Sequence, residues 1–124
     1  MLHILLVTAR KDRMQAFIDG ISRESEVQLE LATAGSQALE MVRSACPDLV
    51  IVDSTSEKLD APDMVRRIIG VNAMANTAVV SSLSEAEFHD KYEGLGILSR
   101  LPEEPGGNDA KSLVQKLRKL MGIN

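Results

Sequence analysis

Five short apolar runs punctuate the chain, at residues 3–7, 27–31, 48–53, 77–80 and 95–98. Each is brief and bounded by polar or turn residues, the signature of a strand. The first, third and fourth are apolar at successive positions, as strands covered on both faces are. The second, Val27-Gln28-Leu29-Glu30-Leu31, alternates and so suits a sheet edge.

Between the runs the period lengthens to that of a helix. Met14, Phe17, Ile18 and Ile21 recur at the i, i+3, i+4, i+7 spacing that paints one apolar stripe. Ala38, Leu39 and Val42 repeat the pattern, as do Met64, Val65 and Ile68 behind a start at Asp60-Ala61-Pro62-Asp63, where proline fits a first turn. Ser84 with Glu87 three residues on makes a capping box for a fourth, weaker helix. Residues 108–121 close the chain with Leu113, Val114, Leu117 and Leu120 on one face. Five strand-helix pairs predict an α/β fold of the flavodoxin-like (βα)5 type: a doubly wound, five-stranded parallel sheet with helices on both faces.

At 124 residues there is room for one ordinary domain, spanning 1–124, with no linker or repeat. The net charge of -4 and pI near 5.2 disfavour direct nucleic-acid binding. The apolar runs are far shorter than the roughly 20 residues a membrane helix needs, and no secretory signal opens the chain. A cytoplasmic location follows as the expectation. Cys46 is read as a small buried or half-buried residue at a helix end, and His3 and His89 as surface residues.

In an open parallel sheet, reactive groups gather beyond the carboxyl ends of the strands, where the strand order reverses. Those positions hold Thr8, Ala9, Arg10, Lys11 and Asp12 after the first strand, Asp53, Ser54, Thr55 and Ser56 after the third, Ser81 and Ser82 after the fourth, and residues 99–102 after the fifth. Asp53 is the one carboxylate at a strand end. Its plain role there is to cap a turn. Asp60 and Asp63 suit a helix N-terminus.

Residues 47–53, Pro-Asp-Leu-Val-Ile-Val-Asp, followed by Asp60 and Asp63-Met64-Val65-Arg66-Arg67-Ile68, resemble the phospho-acceptor strand, loop and third helix of response regulator receiver domains, the CheY-like family. The resemblance extends over nearly the whole chain, through residues 34–39, Gly94 and Leu101-Pro102. It implies that Asp53 is the acceptor of a phosphoryl group from a histidine kinase, with magnesium and a lysine neutralising the phosphoryl oxygens. It implies further that Ser81 or Ser82 supplies the hydroxyl that contacts this group, and that the domain signals rather than catalyses.

Several of the implied groups are missing. Thr8 and Ala9 occupy the positions of the acid pair that holds magnesium, Leu101 that of the lysine, and Leu98 that of the switching aromatic residue. Asp12 replaces the acid pair only if the register shifts. With one carboxylate instead of three, Asp53 forms at best a weak magnesium site, and slow or absent phosphorylation is expected. Arg10 or Lys11, where close enough to pair with Asp53, would put a fixed cation where the metal belongs; the plain alternative for each is a solvated loop residue.

The preferred reading is an atypical, or pseudo-, receiver that works by protein-protein interaction, alone or cut from a longer regulator. The alternative is a working phospho-accepting single-domain response regulator. The remote alternative, a small flavodoxin-like cofactor-binding protein, lacks a phosphate-cradling loop after the first strand and aromatic residues to sandwich a flavin. The resemblance also implies a possible homodimer through the fourth helix, fifth strand and fifth helix, where Lys91, Arg100, Asp109 and Lys111 would supply polar contacts.

Overall fold

The computed structural model describes residues 1–55 and 59–123. Their elements run β1 (Leu2–Val7), a 3-10 turn (Lys11–Met14), α1 (Gln15–Ser22), β2 (Val27–Ala32), α2 (Gly35–Ala45), β3 (Leu49–Asp53), α3 (Ala61–Val71), β4 (Asn76–Val80), α4 (Glu85–Lys91), β5 (Ser99–Leu101) and α5 (Gly107–Leu120). All pairings are parallel and the strand order is β2-β1-β3-β4-β5. The order reverses between β1 and β3, so the crevice of this fold lies at their carboxyl ends. The fold is the flavodoxin-like one expected, with the alternating β2 at an edge.

Successive residues of the central strands bury against opposite layers, which is why those strands read as unbroken apolar runs. Ile4, Leu6, Leu49 and Ile51 meet Phe17, Ile21, Leu113 and Leu117 from α1 and α5. Leu5, Val7, Val50 and Val52 meet Val42, Val65, Ile68 and Tyr92 on the other face. The same alternation carries Asp53, two residues beyond Ile51, to the α1/α5 side of the sheet. The Asp60 side chain accepts from the Asp63 amide and Pro62 sits in the first turn of α3, while Ser84 and Glu87 form their reciprocal box on α4.

The fifth strand is not where the apolar run placed it. Residues 95–98 are irregular, because Gly94 and Gly96 take positive φ (80° and 65°), and the ladder forms only at Ser99–Leu101. Leu95, Ile97 and Leu98 are apolar because they pack on the two core layers without extending the sheet. Two smaller expectations also fail. Cys46 is exposed, in the left-handed conformation that ends α2. His3 is half-buried, its Nε2 2.6 Å from Glu30 Oε1 across the β1–β2 edge.

Candidate functional site at the ends of β1 and β3

Asp53 ends β3 with no exposed surface. A carboxylate so placed persists only if polar groups replace its water. Several contacts do so: the Thr8 hydroxyl donates to Oδ2 at 2.7 Å, Arg10 donates from Nε to Oδ2 at 2.9 Å and from Nη2 to Oδ1 at 3.1 Å, and Thr55 donates to Oδ1 from its amide at 3.0 Å and its hydroxyl at 2.6 Å. Burial pushes the Asp53 carboxyl up, but the Arg10 guanidinium and the Thr55 and Thr8 donors together outweigh it and hold the group below its ordinary value.

Local structure decides which cation reaches the carboxylate. Arg10 immediately precedes the 3-10 turn, its amide tied to the Thr8 hydroxyl at 2.9 Å, and its side chain lies back over the crevice with only 17% exposure. Lys11, the other expected partner, begins the turn, is exposed and makes no ion pair among the described residues. Asp12 is exposed on the same turn, so no register shift restores the acid pair. Ala9 is exposed beside Thr8.

Ser81 is buried just past β4, its hydroxyl accepting from the Leu83 amide at 3.1 Å, whereas Ser82 is exposed. Leu101 is buried among the α1/α5-side core residues, and its carbonyl accepts from the Ser81 amide at 3.0 Å. Arg100 is exposed and donates to the Leu83 carbonyl. Asp109 accepts from the Gly106 amide at the start of α5. Ser56 lies outside the described residues. Thr55 was given no role by the sequence. Its place two residues after a strand-end aspartate is the spacing of an Asx turn, and that was the available signal.

Magnesium takes oxygen ligands in octahedral array, usually several of them charged or water. Here the Asp53 carboxylate already accepts from Thr8, Arg10 and Thr55, with a guanidinium against it. Among the described residues no three His, Cys, Asp or Glu side chains group as a metal site would. These residues do not fit the ion.

The family model described as "PDE8A-like, N-terminal domain" matches residues 1–100. The chain belongs to that family. The match includes Thr8, Arg10 and Asp53 and stops just short of Leu101. No curated protein matches the chain in sequence.

Solved structures similar to this member of the family share the receiver fold. A CheY-like response regulator receiver domain protein from Methanospirillum hungatei superposes with a TM-score of 0.83 at 12% identity, over 98% of each chain. The N-terminal domain of an uncharacterized protein from Wolinella succinogenes gives 0.81 at 24% identity, over 98% of this chain and 97% of that one. The signal receiver domain of an HD domain-containing protein from Pseudomonas fluorescens gives 0.81 at 22%, over 98% and 90%.

Proposed function

We propose that residues 1–124 form a single receiver-type signalling domain of a two-component pathway, a pseudo-receiver that acts by binding other proteins and not by efficient aspartyl phosphorylation. The Arg10–Asp53 pair carries this reading. A phosphoryl acceptor needs a free lone pair aimed at an open approach. Asp53 has neither, being buried and bound through both oxygens. Arg10 stands as the fixed cation in place of metal and lysine, so magnesium binding is weak or absent.

The likeness to receiver domains in fold supports the signalling class, with a histidine kinase or another signalling protein as partner and no enzymatic activity of its own. Exposed Lys91, Arg100 and Lys111 support contact through α4, β5 and α5, including contact with a second copy. The charge balance disfavours nucleic acid. No described helix is long and apolar enough to cross a membrane, and the cytoplasm is the proposed location.

The test is incubation with magnesium and acetyl phosphate or beryllofluoride, read by intact mass and backbone amide shifts. The parent chain is expected to stay unchanged, while a Thr8→Asp, Ala9→Asp, Arg10→Ala variant gains magnesium-dependent shifts. A mass gain in the parent that Asp53→Asn abolishes would overturn the pseudo-receiver reading and make Asp53 a working acceptor.

A further inference from the structure

Arg10 does more than neutralise Asp53. Its Nη2, 3.1 Å from Asp53 Oδ1, also donates to the Glu103 carbonyl at 2.9 Å. One guanidinium thus joins the segment after β1, the end of β3 and the loop between β5 and α5, positions 43 and 93 residues away from it in sequence. The loop, residues 102–106, carries Pro102 and Pro105, which lack amide donors. A second tie to the first segment is Arg13 to Glu104 at 3.4 Å, with both side chains more than 60% exposed. An exposed pair of that kind holds little. The Gly106 amide is bound within the start of α5, to Asp109.

We infer that Arg10 is a latch through which the charge on Asp53 sets the order of the β5–α5 loop. Arginine suits the task because its planar fork serves two acceptors at once, whereas lysine offers a point charge. With Asp53 ionised, the guanidinium is held by two bonds in the crevice and presents the second N–H of Nη2 to the Glu103 carbonyl. Once the carboxylate is neutral, the fork loses its anchor, and the partly exposed arginine exchanges the Glu103 carbonyl for water. The inference goes beyond the signalling reading, since it concerns what the pair controls and stands whether or not a kinase or partner is found.

The latch makes the loop's behaviour depend on Asp53 through Arg10. Amide NMR of the full chain tests this at Glu103, Glu104 and Gly106, with β1 and α5 amides reporting that each variant is folded. Asp53→Asn and Arg10→Ala are both expected to shift the Glu104 amide and to lower the heteronuclear NOE of Glu103 and Glu104. Adding Asp53→Asn to Arg10→Ala should change those amides no further. Arg10→Lys should loosen the loop while keeping the charge, and Arg13→Ala should leave it ordered. If Asp53→Asn leaves Glu103 and Glu104 as in the parent, or if Arg10→Lys does, the latch is disproved. Should Asp53→Asn fail to fold, Arg10→Lys and Arg13→Ala decide the outcome between them.

Discussion

The Thr8 hydroxyl lies 2.7 Å from Asp53 Oδ2 while accepting from the Arg10 amide at 2.9 Å, so one small side chain both supplies a donor to the buried carboxylate and fixes the start of the segment that brings the cation. Thr8→Val keeps the shape and removes both bonds. A hydrogen bond to a charged group contributes about 2 kcal/mol, and urea unfolding should show a loss of that size.

Arg10→Ala is expected to cost more than Asp53→Asn. Removing the arginine takes the guanidinium away from a carboxylate without exposed surface, and breaking a buried pair from one side costs about 3 kcal/mol. Removing the charge from Asp53 leaves an arginine with 17% exposure that can turn toward water. Equal losses in urea unfolding would show that the crevice desolvates both partners alike.

Acid sensitivity follows from the same group. The folded Asp53 carboxyl lies below its ordinary value of 3.8, so it binds protons less readily than in the unfolded chain. Its contribution is complete above that unfolded value and is lost as pH falls through the depressed folded one. Stability measured between about pH 6 and the acid limit should therefore fall less steeply in Asp53→Asn than in the parent.

Gly20 sits where α1 crosses α5. A Cβ there would lie 2.8 Å from Ala110 Cβ and 3.0 Å from Gly107 Cα, and the second of these is backbone that cannot swing aside. Gly20→Ala should lose about 2 kcal/mol by overpacking, despite alanine's better helix propensity. Ala110→Gly in the same chain should recover part of the loss, a non-additivity that a double-mutant cycle reads directly.

Tyr92 is buried against the α2/α3/α4 core, stacked on Phe88 at 4.4 Å, and its phenol oxygen makes no hydrogen bond of good geometry among the described residues, the nearby Ser54 hydroxyl donating to the Val80 carbonyl instead. Burial pushes its pKa up. A buried donor left unpaired costs folding free energy. Tyr92→Phe should therefore raise stability by about 1 kcal/mol, measured as a higher urea midpoint at unchanged slope.

The architecture was legible because it rests on local periodicity. Apolar runs covered on both faces, one alternating edge, helical stripes and two caps follow from side-chain direction along a strand or helix, and that direction is a property of the backbone alone. Asp53 was legible for the same reason: it is the polar residue that ends the central run, and alternation fixes its side of the sheet. Tertiary structure decided where β5 lies, since Leu95, Ile97 and Leu98 are apolar through packing while Gly94 and Gly96 bend the backbone out of the ladder. It also decided between Arg10 and Lys11, neighbours of like charge that the sequence left equivalent. Arg10 comes just before the 3-10 turn and Lys11 begins it, so their side chains leave the backbone in different directions, one over Asp53 and the other into solvent. Charge at a strand end is written in the residue types, but its pairing depends on distances between segments 43 residues apart, which only the closed sheet sets.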